Sequence, residues 1–173
     1  TIYVADSESG PDTGAHELPG IKKGIRIGSA KDGSVTGFIE DLEATVGDHS
    51  GAEGVGVDAQ GNVYGAVVRR RMLERHVKMS PGTVARPAPM TYQPVANWAQ
   101  LPAGTTWGAM TAVDIDAGGN VYALQREPGQ VMVFDGHGKH LRSWGDGMFT
   151  QAHGLRLDRA GNVWVTDRGS HQV

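Results

Sequence analysis

The sequence predicts an all-β protein assembled from β-propeller blades, and three observations carry that prediction. One pattern occurs three times: GAEGVGVDAQGNVYGA from Gly51, GAMTAVDIDAGGNVYAL from Gly108 and TQAHGLRLDRAGNVWVTD from Thr150. Each copy has a short alternating run ending in Asp, a turn closing on Gly-Asn, and a second run opening on Val and an aromatic. The turn asparagines, Asn62, Asn120 and Asn162, lie 58 and 42 residues apart, and several short strands per unit of about 40–45 residues is the signature of a propeller blade. Glycine makes up 26 of the 173 residues and is spread between the β-rich runs, as turns require and a flexible tract would not.

Taken in order, the opening TIYVADSES matches NVWVTDRGS near the end and reads as a fourth copy without its first strand. GIRIGSAKDGSVTGFIED supplies that copy's third and fourth strands. In the three full copies the Asp caps the turn with its side chain, and Gly-Asn supplies the positive φ values of a tight hairpin. Period-2 alternation puts Val55 with Val57, Val113 with Ile115, and Leu155 with Leu157 on a buried face. RRRMLERHVK, the one weak helix candidate, reads as strand four of the Gly51 blade. QVMVFDGHGKHLRSWG gives the third and fourth strands of the Gly108 blade. Residues 79–97, MSPGTVARPAPMTYQPVAN, hold four of the eight prolines and read as an extended connector. It separates residues 1–78 from 98–173, about two blades on each side.

The composition bounds the function. There is no cysteine, which removes disulfide and thiolate chemistry. A net charge of −3 gives no general drive toward nucleic acid or an anionic membrane, so neither is expected as a partner. The basic run RRRMLERH lacks the interleaved aromatics of a nucleic-acid groove. No apolar stretch approaches the 18 or so residues of a membrane span, and the N-terminal residues do not form a signal peptide.

GMFTQAHGLRLDRAGNVWVTDRGSHQV, with TAVDIDAGGNVYALQREPGQVMVFD ahead of it, resembles the NHL-repeat propellers of peptidyl-α-hydroxyglycine α-amidating lyases and their bacterial relatives. The likeness is specific over residues 98–173; residues 1–78 resemble the closing blades of bacterial NHL proteins. It implies a six-bladed ring with a central zinc and a structural calcium, cleaving a peptidyl-α-hydroxyglycine to a peptide amide and glyoxylate. It also implies a small polar or peptide substrate and favours a periplasmic or secreted setting. By position, His153 takes a zinc-ligand place, Val113 and Leu155 take calcium-carbonyl places, and Arg126 takes the place of a substrate arginine. The chain departs from the pattern at Glu53-Gly54, where the lyases have His-Asp, and at Thr111; no Tyr follows an inner-strand Asp as the proposed base would.

The order resembles a tail joined to a head, which fits a permuted or recombined chain, a fragment of a tandem array, or part of a longer chain. Six blades need about 240–300 residues; two chains complete a ring as a homodimer, or the propeller is open, or part of it lies outside this sequence.

Propellers gather the starts of their innermost strands around one axis. His153 and Glu53, 100 residues apart, are therefore expected near a common channel, where a histidine, a carboxylate and one more ligand suit zinc with an open position. The competing reading is that His153 hydrogen-bonds its neighbours and Glu53 satisfies backbone amides. Arg126 is read as a bidentate clamp on a substrate carboxylate, against a salt bridge to Glu127 or a neighbouring blade. Asp6 and Asp167 are read as caps of the turn into strand three. DGHGKH is an outer hairpin turn, His171 is packed or solvated on strand three, and His16, His49 and His76 have no supporting neighbours. Trp98, Trp107, Trp144 and Trp164 are read as packing between blades, with Trp107 also placed to line the channel. A non-catalytic propeller acting as a ligand-binding or interaction scaffold is the alternative to a zinc lyase.

Overall fold

The computed structural model describes residues 1–9, 21–43, 51–79 and 92–173, and among these every regular element is a strand. Four antiparallel sheets follow one another along the chain. The first holds β1 (Ile2–Asp6), β2 (Gly24–Gly28) and β3 (Val35–Glu40); the second β4 (Ala52–Val57), β5 (Val63–Val67), β6 (Met72–Lys78) and β7 (Tyr92–Pro94). The third holds β8 (Met110–Ile115), β9 (Val121–Gln125), β10 (Gln130–Phe134) and β11 (His140–Trp144), and the fourth β12 (Ala152–Leu157) and β13 (Val163–Asp167). Inside each sheet every strand pairs with its neighbour in sequence. Between sheets, β4 packs on β8 and β8 on β12. This is the blade-by-blade stacking of a propeller, with β4, β8 and β12 as adjoining innermost strands.

The core lies between the sheets. Ile25, Ile27 and Ile39 of the first meet Ala52, Val63 and Val67 of the second. Tyr64, Leu73 and Trp98 meet Met110, Val121, Met132 and Phe134. Tyr122, Leu124, Val131 and Val133 meet Ala152 and Leu155. Trp98 forms an edge contact with Tyr64 at 5.2 Å between ring centroids, and Trp107 leans on Phe134 at 5.7 Å, so both fill the joint between the second and third blades. Trp144 packs beside Phe149. Trp164 does not follow them: it is 54% exposed.

The repeated turn explains its own sequence. Asp58 Oδ1 accepts the N–H groups of Gln60 and Asn62, and Oδ2 accepts from the Asn62 side chain. Asp116 does the same for Gly118 and Asn120, and Asp158 for Ala160 and Asn162. The glycine between them is left-handed each time, with φ of 82°, 84° and 86° at Gly61, Gly119 and Gly161. The asparagines are not in that region, which corrects the expectation that Gly-Asn together supply positive φ. Only the glycine needs the freedom; the asparagine is selected for its side-chain amide, which ties the turn to the carboxylate.

Two further expectations are revised. RRRMLERHVK contributes β6, which pairs with β5 and is strand three of its blade, not strand four. Strand four is β7, three residues inside the proline-rich stretch, bonded to β6 through Lys78, Val77 and His76. A strand survives there because β7 is an edge, where Pro94 removes no ladder donor that a further strand would need. Residues 80–91 of that stretch, and His16 and His49, lie outside the described residues.

Candidate functional site

The blade mouths sit where each inner strand begins, and the three full mouths are equivalent in register: Ala52-Glu53, Met110-Thr111 and Ala152-His153. Each carries a bulge immediately after its first paired residue, so the residue there leaves the ladder. Arg126 follows β9 and reaches both neighbouring blades. Its Nη2 lies 3.7 Å from Glu53 Oε2 in the second blade, and its Nε donates to the Ala152 carbonyl of the fourth at 3.4 Å. The structure therefore brings Glu53, Arg126 and the residue preceding His153 to one place, across three blades.

Both contacts are long, and the remaining guanidinium donors have no partner among the described residues. The side chains of Arg126 and Glu53 keep 16% and 21% of their exposure, while His153 is exposed at the start of β12. The arginine is thus supported at its edge with donors left over, in a half-buried setting where a charge-assisted hydrogen bond counts for more than at the surface.

The residues read as metal ligands are placed as follows. Glu53 faces Arg126. His153 has no side-chain hydrogen bond among the described residues, and no group of three His, Asp or Glu side chains able to hold a metal occurs among them. A zinc site takes three or four protein ligands, so the described residues of this chain do not by themselves fit a resident zinc. Val113 and Leu155 are core residues by side chain, 3% and 4% exposed. The Val113 carbonyl oxygen lies 3.1 Å from where a Cβ on Gly56 would stand, so it is directed at the adjoining inner strand.

Below the mouths the sheets are tied by groups that sequence reading largely missed. Asp114 on β8 crosses to the fourth blade, where its Oδ2 accepts the Leu157 N–H at 2.8 Å. Gln125 accepts the Gly108 N–H at 3.0 Å. Asp167, at the equivalent register position, accepts from Thr150, Gln151, Gly169 and Ser170. Burial opposes the charge on Asp167, but those four N–H groups outweigh it and hold the carboxyl down at about 2. The capping role expected for Asp167 is therefore present and broader than expected, since it also holds Thr150 and Gln151, which lead into the mouth of its own blade. Asp6 caps Ser9 and binds Arg26 Nη1 at 2.7 Å. The clue to Gln125 was available: it ends its strand at the place Asp6 and Asp167 end theirs.

The NHL repeat family model matches residues 149–173. The chain carries an NHL repeat. Over 35 residues, 20% of its length, it is 51% identical to the "Probable peptidyl-alpha-hydroxyglycine alpha-amidating lyase pgal-1" of Caenorhabditis elegans, of which the match covers 10%. It is 54% identical over 35 residues to peptidyl-glycine alpha-amidating monooxygenase B of Xenopus laevis, covering 4% of that protein. Among solved structures, a luciferin-regenerating enzyme superposes with a TM-score of 0.59 at 13% identity, over 88% of this chain and 46% of its own. The chain thus spans under half of that structure, and the likeness is one of fold. Together these make it an all-β chain of propeller fold that carries an NHL repeat at residues 149–173 and has local similarity to the amidating lyases.

Proposed function

We propose that this NHL propeller binds a small ligand or peptide end bearing a carboxylate at its blade mouths, and that Arg126 takes the carboxylate. The observation that carries this is the placing of Arg126 between Glu53 and the Ala152 carbonyl with donors unspent. The ligand class suggested by the name of the Caenorhabditis elegans relative is a peptidyl-α-hydroxyglycine. Its cleavage breaks the bond between the amide nitrogen and the hydroxyl-bearing carbon. The hydroxyl proton is lost as that carbon becomes the aldehyde of glyoxylate, and the amide nitrogen gains a proton. In this reading Arg126 orients the carboxylate, Glu53 orients Arg126, and His153 stands beside them at the fourth mouth. A zinc, where other blades complete its ligands, would supply Lewis-acid chemistry.

The alternative, a binding propeller without catalysis, is favoured by one observation: Glu53, the second ligand of the zinc reading, is already paired with an arginine. Calorimetric titration with a peptidyl-α-hydroxyglycine, and with the matching C-terminal amide, tests the shared claim. Arg126→Ala should weaken the acid by about tenfold or more, the loss of one charge-assisted hydrogen bond, and leave the amide unchanged. Equal losses for both ligands would remove Arg126 as a carboxylate anchor. Glyoxylate release, with zinc content measured in wild type and in His153→Ala, then separates lyase from scaffold. Stoichiometric zinc lost on substitution favours the first; binding with neither metal nor glyoxylate favours the second.

A further inference from the structure

By register, β6 of the second blade and β10 of the third are equivalent strands. Val63 pairs with His76 as Val121 pairs with Phe134, and Gly65 pairs with Glu74 as Ala123 pairs with Met132. Met132 and Phe134 belong to the core of the joint between the second and third blades, 3% and 0% exposed. The joint between the first and second blades therefore holds a carboxylate and an imidazole where its neighbour holds a thioether and a phenyl ring. The valines opposite, Val63 and Val121, are fully buried in both, so the difference is confined to the third strands.

The two ionisable groups sit in a network that crosses the first joint. Glu74 Oε2 accepts from His76 Nε2 at 3.2 Å, and Glu74 Oε1 lies 2.9 Å from Arg70 Nη2. Arg70, in the turn between β5 and β6, also binds Asp41 and donates through Nη1 to Glu43 at 2.7 Å. Asp41 and Glu43 follow β3 of the first blade, so one guanidinium ties carboxylates from both blades. The side chains of Asp41, Glu74 and His76 keep 8%, 15% and 11% of their exposure, while Glu43 is exposed. His76, for which the sequence offered no supporting neighbour, thus has one. Among the described residues, Tyr3 and Tyr92 also pack on this joint, and the Tyr92 hydroxyl is buried there with no hydrogen-bond partner. Lys23 is buried just ahead of β2, where its carbonyl accepts the Asp41 N–H. Lys78, at the far end of β6, lies over the Gly61 turn, and Arg69 and Arg71 are exposed beside Arg70.

We infer that the first joint is an acid-released latch: Arg70, Glu74 and His76 hold the first blade on the second while the carboxylates are charged, and free it when they are protonated. A buried ion network gains little over the apolar packing that could replace it, because desolvation offsets most of the attraction. The first joint is therefore held more weakly than the second and depends on charge. Burial opposes the charge on Glu74, but the His76 hydrogen bond and then the Arg70 charge outweigh it and hold the carboxyl below its ordinary value. A carboxylate lowered in this way stabilises the fold above its unfolded value and ceases to do so as pH falls. In acid an imidazole is cationic, so loss of the Glu74 charge leaves His76 and Arg70 as two cations with no anion between them. The latch belongs to the joint alone and stands whether or not Arg126 binds a carboxylate.

Amide exchange followed from pH 7 to pH 3, corrected for the intrinsic rate at each pH, reads the latch blade by blade. Protection of β2 should fall by about tenfold or more at a pH where β9 and β10 still keep theirs. Glu74→Met combined with His76→Phe copies the second joint and should abolish that early loss. Glu74→Gln keeps the shape of the side chain without its charge, and should lower the protection of β2 by about tenfold already at pH 7. The inference is overturned if β2 and β9 of the wild type lose protection together, or if the early loss persists in the folded double variant. It is also overturned if Glu74→Gln leaves β2 as in the wild type, or weakens every sheet alike. Should the double variant fail to fold, the wild type and Glu74→Gln decide the question by themselves.

Discussion

Asp158 and Asp167 show how much one carboxylate can organise in a chain made largely of turns. Asp158 is held at about 2, chiefly by the Asn162 amide, then by the Trp164 indole N–H and the Asn162 backbone. Asp167 reaches about 2 through four backbone N–H groups acting against its burial. Both folded values lie below the roughly 3.9 of an unfolded aspartate. Their contribution to stability is therefore complete above that value and is lost as pH falls toward 2. Thermal unfolding followed from pH 7 to pH 2 should show the melting temperature dropping most steeply below pH 4. Asp167→Asn should lower it at pH 7 and flatten the acid limb; an unaltered acid limb would mean that other carboxylates control it. The Asp-to-Gly-Asn turns were legible in the sequence because all their partners lie within six residues. Asp114 was not, because its partner, the Leu157 N–H, is 43 residues away and nothing local marks it.

At the scale of strands, the close approach of β4 to β8 is what brings neighbouring mouths within reach of one arginine. A Cβ on Gly54 would stand 2.7 Å from Ala112 Cα and 2.8 Å from the Thr111 carbonyl oxygen. Both are backbone, so neither can turn aside. Gly54→Val should cost about 1–3 kcal/mol, as overpacking does, and should also widen the gap that Arg126 spans; a denaturant midpoint and the ligand affinity check the two effects. Asp114→Ala leaves the Leu157 N–H without its acceptor and should cost about 1.5–3 kcal/mol, the range for a hydrogen bond to a charged group. Outside the second blade's outer edge, strand existence and pairing were readable from alternation alone. The place of β6 and β7 was not, because the basic run before Met72 and the proline at position 94 obscure which strand is the edge. Likewise, the sequence offered Arg126 and Glu53 as separate roles, and only the blade-to-blade distance shows that they are partners.

For the molecule as a whole, stability is shared between neighbours and so is uneven along the chain. Strands β5 and β9 are buried at every position, whereas β3 is exposed at four of its six and β13 at two of its five. Amide exchange should therefore be slowest in β5, β9 and β10 and fastest in β3 and β13. Uniform protection would contradict a blade-by-blade assembly.

At each of the three inner joints a tyrosine from one blade's second strand, Tyr3, Tyr64 or Tyr122, meets aliphatic side chains of the next blade, and that shared form carries a consequence for change over time. A unit that meets both neighbours through the same aromatic-and-aliphatic fit can be duplicated, removed or reordered without new contacts having to be invented. The mouths enjoy no such interchangeability, since Glu53, Thr111 and His153 occupy one position with three chemistries. Shuffling would leave the barrel of sheets intact while rewriting what stands at its rim.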